Sequence, residues 1–88
     1  MIKIVQAKPA GGTRIGLLFS DGSAGEFDLA PLIARGTELT LPLADEAFRS
    51  RFFLELGALC WPNGLELSAA SVHRRLLEAG TLQAAQVA

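Results

Sequence analysis

Apolar residues alternate with polar ones through the first part of the chain and recur at a helical spacing near its end. "MIKIVQAK" has β-branched residues at positions 2, 4 and 5 with no cap before them, so it reads as a strand. "PAGG" is a loop, and "TRIGLLFS" is a second strand with Ile15, Leu17 and Phe19 on one face. A four-residue loop at Pro9–Gly12 would set Ile2 opposite Phe19 and Ile4 opposite Leu17. At the next turn, "FSDGSAGEF", face parity decides the loop length. A two-residue Asp21-Gly22 loop puts Glu26 and Asp28 on the core face. A three-residue loop of Ser20, Asp21 and Gly22 pairs Ile15 with Phe27 and Leu17 with Gly25, and gives Gly22 the left-handed position. The three-residue loop is therefore expected.

"DLAPLIARG" predicts a short helix capped by Asp28, with Pro31 in its first turn, Gly36 as a left-handed stop, and Leu29, Leu32 and Ile33 towards the sheet. "TELTLPL" reads as an extended connection that Pro42 keeps out of a central strand. In "DEAFRSRF", Asp45 is a second N-cap, and Phe48 and Phe52 stand four residues apart on a helical turn. "FLELGALCW" reads as a tight hairpin turning at Gly57-Ala58, with Leu56 opposite Leu59 and Leu54 opposite Trp61. Pro62 ends that strand, Asn63-Gly64 reverses the chain, and Ser68 caps a last helix whose face is Ala69, Val72, Leu76 and Ala79, with Leu77 beside it and Gly80 as its stop. The expected fold is α+β: a three-stranded antiparallel meander, a short helix, a second β-hairpin and a C-terminal helix. Residues 1–80 form a single domain, and 81–88 are a C-terminal tail, either frayed or helical against a neighbour.

Composition sharpens this picture. Half of the 88 residues are apolar and 19% are charged, which excludes a disordered chain and leaves more apolar surface than so small a core needs. Self-association or a protein partner is expected to cover the excess. The net charge is −1 with no dense basic run, so nucleic-acid binding is only weakly supported; its candidate phosphate contacts are Arg49 with Arg51 and Arg74 with Arg75. One cysteine makes no internal disulfide. No signal-peptide pattern or membrane-spanning run is read, so the expectation is a cytoplasmic protein with no membrane partner.

The chemistry-bearing residues are few. Cys60 has no neighbour in sequence to lower its pKa and reads as a small hydrophobe at a strand end. His73 has no second ligand at metal spacing. Asp21, Asp28 and Asp45 suit turns and caps. "GG" at 11–12 lacks the Lys-Ser/Thr of a phosphate loop. No catalytic residue, metal or cofactor is expected, and the chain reads as a non-enzyme. Trp61, beside Cys60 in "CWPNGLELS", is expected to close the hairpin and, with Pro62, Asn63 and Gly64, to form an exposed rim available for interaction. A small-molecule pocket beside Trp61, Asn63 and His73 is the alternative.

The order of these motifs resembles the bacterial domain of unknown function 2442 family. Its pattern runs F-x-D-G, a D-L-x-x-L-x-x-x-G helix, L-x-D-x-x-x-F and W-P-N-G-x-(D/E)-L, and the likeness covers residues 2–77. The matching positions are Asp21, Gly22, Asp28, Leu29, Gly36, Leu43, Asp45, Phe48, Trp61, Pro62, Asn63 and Gly64, with Glu66 where the family often has Asp. The resemblance implies a single α+β domain and no catalytic residues. Some relatives resemble the partner of a helix-turn-helix segment, and others lie beside small proteins of toxin–antitoxin type. No helix-turn-helix segment is read in these 88 residues. The apolar excess, Trp61 and the lack of a catalytic constellation lead to the expectation of a non-enzymatic protein-interaction module, to which the resemblance adds an accessory or antitoxin-like place in a small operon pair; a nucleic-acid-associated transcriptional regulator using the four arginines is the alternative.

Overall fold

A computed structural model describes residues 1–84. Three strands, β1 (Ile4–Pro9), β2 (Arg14–Phe19) and β3 (Ser23–Asp28), form an antiparallel meander. The β2–β3 pairing is the one face parity demands: Ile15 lies opposite Phe27, Leu17 opposite Gly25 and Arg14 opposite Asp28, with Gly22 at φ 86°.

The β1–β2 register differs from the expected one. The hairpin sets Pro9 opposite Ile15 and Ala7 opposite Leu17, and Val5, an extra residue bulged out of β1, then brings Ile4 opposite Phe19. The reason lies in polarity and in anchoring. Once Ile4 is seated in the core, strict alternation would carry Gln6 and Lys8 inwards. The bulge reverses the parity and leaves both exposed. Ile4 is held by its N–H, which donates to the Gly57 carbonyl at 2.9 Å, while Lys3 is pinned between the hydroxyl and the N–H of Ser20. The loop that follows is correspondingly short, with Ala10 N–H donating to Arg14 O.

Helix α1 (Ala30–Arg35) starts at Leu29 rather than Asp28 and stops at Gly36, φ 65°. Asp28 stands one residue earlier; its Oδ1 accepts from Ala30 N–H at 2.9 Å and from Thr13 Oγ1 at 2.6 Å, tying the helix start to the β1–β2 loop. The segment expected to be extended is instead compact. Thr37 and Thr40 bond each other's hydroxyls and backbone N–H groups, and Leu41–Ala44 form a 3-10 turn that buries Leu43. Helix α2 (Glu46–Arg49) follows, with the Asp45 side chain accepting from Ala47 N–H.

The second hairpin, β4 (Phe53–Glu55) and β5 (Ala58–Cys60), pairs Leu54 with Leu59 and Phe53 with Cys60, not Leu54 with Trp61. Its turn is Leu56-Gly57, at φ 53° and 82°, a conformation that places the glycine second rather than first. A two-residue strand, β6 (Glu66–Leu67), pairs with β5 and completes a small sheet. Helix α3 (Ala69–Glu78) begins at the Ser68 cap and buries Ala69, Val72 and Leu76. Its end is a Schellman motif: Gly80 N–H bonds Leu77 O and Thr81 N–H bonds Leu76 O. Ala79 and Leu77 are exposed. The chain then adds β7 (Gln83–Ala84) against β3, giving the order β1-β2-β3-β7. Residues 83–84 are thus neither frayed nor helical, and 85–88 lie outside the described residues.

One core joins these parts. Ile4, Ile15, Leu17, Phe19 and Phe27 from the sheet meet Leu29, Leu32 and Leu43, Leu59, Trp61 and Leu65 of the hairpin region, and Val72 and Leu76 of α3. Gly25 is required where α3 crosses the sheet, since a Cβ there would stand 3.1 Å from Leu76 Cδ1 and 3.2 Å from Thr81 O.

Candidate functional site

The W-P-N-G corner is a joint between segments. After β5 the chain turns tightly, with Gly64 N–H bonding Trp61 O and Trp61 N–H bonding Leu65 O, and Gly64 takes φ 94°. Asn63 works in both directions. Its Oδ1 accepts from Leu65 N–H inside the turn, and its Nδ2 donates to Leu39 O at 3.1 Å, across 24 residues of chain. Trp61 is 1% exposed. Its indole N–H donates to Arg49 O at 3.0 Å, and its ring meets Phe52 edge-on at 6.4 Å between centroids. The expected exposed rim therefore does not include Trp61, whose large apolar surface and single donor are both satisfied inside. Pro62 and Gly64 are exposed, and Asn63 is half-buried.

The arginines do not gather. Arg49 Nη1 donates to the carbonyls of Leu43 (2.9 Å) and Ala44 (3.3 Å), which binds α2 to the end of the 3-10 turn. Arg51 is exposed after α2, and Arg74 and Arg75 are exposed on α3. Cys60 is buried in the central strand of the small sheet, and burial, then the charges of Glu66 and Glu55, push its thiol pKa up. That is the opposite of what a nucleophilic thiolate needs.

One pairing carried no signal in the sequence. His73 Nε2 lies 3.0 Å from Asp21 Oδ2, and the imidazole stands perpendicular to the Phe19 ring at 5.0 Å. Ser23 bonds the other oxygen of the same carboxylate through its hydroxyl and its N–H. Those Ser23 bonds, ahead of His73, hold the Asp21 carboxyl below its ordinary range. A carboxylate that orients an imidazole makes two of the three members of a catalytic triad, but here the serine sits on the carboxylate rather than on the imidazole. The arrangement ties α3 to the β2–β3 turn. Among the described residues no group of three or more His, Cys, Asp or Glu is placed to hold a metal ion.

Two concavities are formed elsewhere. A broad one of about 830 Å³ covers the outer face of the main sheet, with Gly16, Leu18 and Ala24 at its floor and Gln6, Lys8, Arg14, Glu26 and Gln83 around it. A smaller one of about 230 Å³ lies between the β1–β2 loop and α2; Pro9, Ile15 and Phe52 line it together with Arg14, Arg49, Glu46 and Ser50. Trp61, Asn63 and His73 line neither, so the alternative pocket beside those residues is not among these two.

No helix among the described residues is long and apolar enough to cross a membrane. No curated protein and no solved structure matches the chain. A family model described as "Protein of unknown function (DUF2442)" matches residues 4–76. The motif positions within that span have structural tasks: Gly22 and Gly36 are left-handed, Leu29 and Leu43 are fully buried, Asp45 caps, and Trp61 and Asn63 join segments. By that match, and by a fold in which its motif residues hold the turns and joints, the chain belongs to the DUF2442 family of proteins of unknown function.

Proposed function

We propose that this chain is a cytoplasmic, non-enzymatic protein-interaction module, the accessory or antitoxin-like half of a small operon pair. The observation that carries the reading is the apolar surface left over after folding. Met1, Val5, Leu39, Leu41, Phe53, Leu56 and Leu77 are all 43% or more exposed. Scattered exposed apolar residues are ordinary, but four of these seven sit on two adjoining segments. Met1 and Val5 flank the Lys3–Ile4 stretch that bonds the β4–β5 turn, and Phe53 and Leu56 belong to that hairpin. The buried, pKa-raised Cys60 and the serine-on-carboxylate arrangement at Asp21 support a role without chemistry.

The test is co-expression with the product of the adjacent gene, followed by light scattering on the purified material and on this chain alone. A defined mass above the 9.3 kDa of one chain, in either sample, is expected. A strict monomer that forms no complex with its neighbour would refute the reading.

A further inference from the structure

Leu56 is doubly out of place. It takes φ 53°, the left-handed region that a leucine adopts only under strain, and it is 94% exposed. Asparagine at this first turn position, followed by the glycine already at 57, would suit the backbone better and would put a polar group in water. Its neighbours hold it out rather than let it fold back. Gly57 lies flat against Lys3, so closely that a Cβ there would be 2.7 Å from Lys3 Cβ, and Gly57 O is fixed by Ile4 N–H. The tip therefore presents a leucine on a rigid turn, with Glu55 exposed beside it and Lys3 at its base.

The same chain carries a matching recess. The 230 Å³ cavity between the β1–β2 loop and α2 has an apolar lining of Pro9, Ile15 and Phe52. It falls short of the roughly 300 Å³ at which small-molecule sites begin, yet it accommodates a single aliphatic side chain. Its polar lining is Arg14 and Arg49 with Glu46. Among the described residues the ion pair of Arg14 is with Glu26, at 3.7 Å with both side chains more than half exposed, a loose pair that exchanges partners at little cost. Glu55 beside the leucine complements the arginines, and Lys3 complements Glu46.

We infer that Leu56 of one copy seats in the Pro9–Ile15–Phe52 recess of a second copy, so that the chain self-associates through this finger and socket. The inference rests on the interaction-module reading and names the partner as the chain itself. A finger-into-socket contact closes as a two-fold pair when both seatings form together, and extends as a chain of copies when they do not.

Light scattering on the purified full chain, at concentrations rising to the millimolar range, tests it. The natural chain is expected at twice its 9.3 kDa mass or more. Leu56→Asn, which suits the turn and keeps the fold, should weaken association by about tenfold to a hundredfold for each leucine unseated, one per contact in a chain of copies and two in a two-fold pair. Ser50→Trp, at an exposed position on the recess wall, should plug the socket to the same effect. Mixing the two variants should restore one seating, because one retains the socket and the other the finger, so the mixture should associate more tightly than either variant alone. A natural chain that is monomeric throughout, an assembly indifferent to Leu56→Asn, or a mixture that associates no more tightly than either variant alone would each overturn the inference. The interaction-module reading would still stand if the adjacent gene's product bound, and would fall with it if that product did not bind and the chain stayed monomeric.

Discussion

Replacing Trp61 by phenylalanine separates the two ways in which the W-P-N-G corner holds the fold. Phenylalanine keeps an aromatic ring near Phe52 but removes the indole N–H that reaches Arg49 O at 3.0 Å. A half-buried carbonyl left without its donor costs about 1–2 kcal/mol. The lost ring atoms of a side chain that is 1% exposed add about 1–2 kcal/mol as transfer and cavity terms. Trp61→Phe should therefore destabilise by about 2–4 kcal/mol. An 88-residue chain has roughly 4–13 kcal/mol in total, so the variant should remain folded but melt about 10–25 °C lower. Trp61→Ala should lose about 4–6 kcal/mol, because the whole ring goes as well as the donor. Urea unfolding followed by far-UV circular dichroism gives both values, since the phenylalanine variant has neither tryptophan nor tyrosine to fluoresce. If Trp61→Phe falls within about 1 kcal/mol of the natural chain, the indole bond does not join α2 to the hairpin and the structural account of the motif is wrong.

Asn63→Ala removes two bonds at once and should cost about 1–3 kcal/mol in urea unfolding; amide exchange should quicken first around Leu39 and Leu65. Gly57→Ala combines a φ of 82° with a Cβ 2.7 Å from Lys3, and a melting-temperature drop equivalent to about 1–3 kcal/mol is expected. Gly25→Ala should disturb the seat of α3, since the added carbon meets Leu76 and Thr81 at 3.1–3.2 Å; near-UV dichroism and melting both report it. Asp28 has its carboxyl pKa lowered by the Thr13 hydroxyl and then the Ala30 N–H. With the folded-state pKa below the unfolded one, its contribution is present above the ordinary carboxylate range and is lost as pH falls through the folded value. The stability gap between the natural chain and Asp28→Asn should thus be largest near neutrality and shrink on acidification; a gap independent of pH would refute the assignment.

What could be read from the chain was local. The β2–β3 register follows from parity and Gly22, because a one-residue slip would bury Glu26 and Asp28. The caps at Asp45 and Ser68 and the stops at Gly36 and Gly80 likewise depend on neighbours in sequence. The β1–β2 register was not legible: the hairpin pairs Pro9 with Ile15, the bulge at Val5 then shifts the pairing once more, and the Ile4–Gly57 bond that holds Ile4 spans 53 residues. The second hairpin turns one residue earlier than its glycine suggested, because Leu56 accepts a left-handed conformation that propensity disfavours. Strands β6 and β7 have two residues each, too few to show a period. The Asp21–His73 pair joins residues 52 apart and leaves no mark in spacing. For W-P-N-G, the turn could be read from proline and Asn-Gly, but the burial of Trp61 depends on α2 packing over it.

The single cysteine has a kinetic meaning. Cys60 lies in the middle strand of the β4–β5–β6 sheet, paired on both sides and 5% exposed. A thiol reagent can reach it only when that sheet opens, and the raised pKa keeps the thiol protonated until then. When closing outpaces labelling, the modification rate measures the equilibrium population of the open small sheet. The indole of Trp61, one residue along the chain, reports the loss of the common core. Where labelling proceeds while fluorescence is unchanged, the small sheet opens as a unit of its own; where the two rise together in denaturant, the molecule unfolds as one.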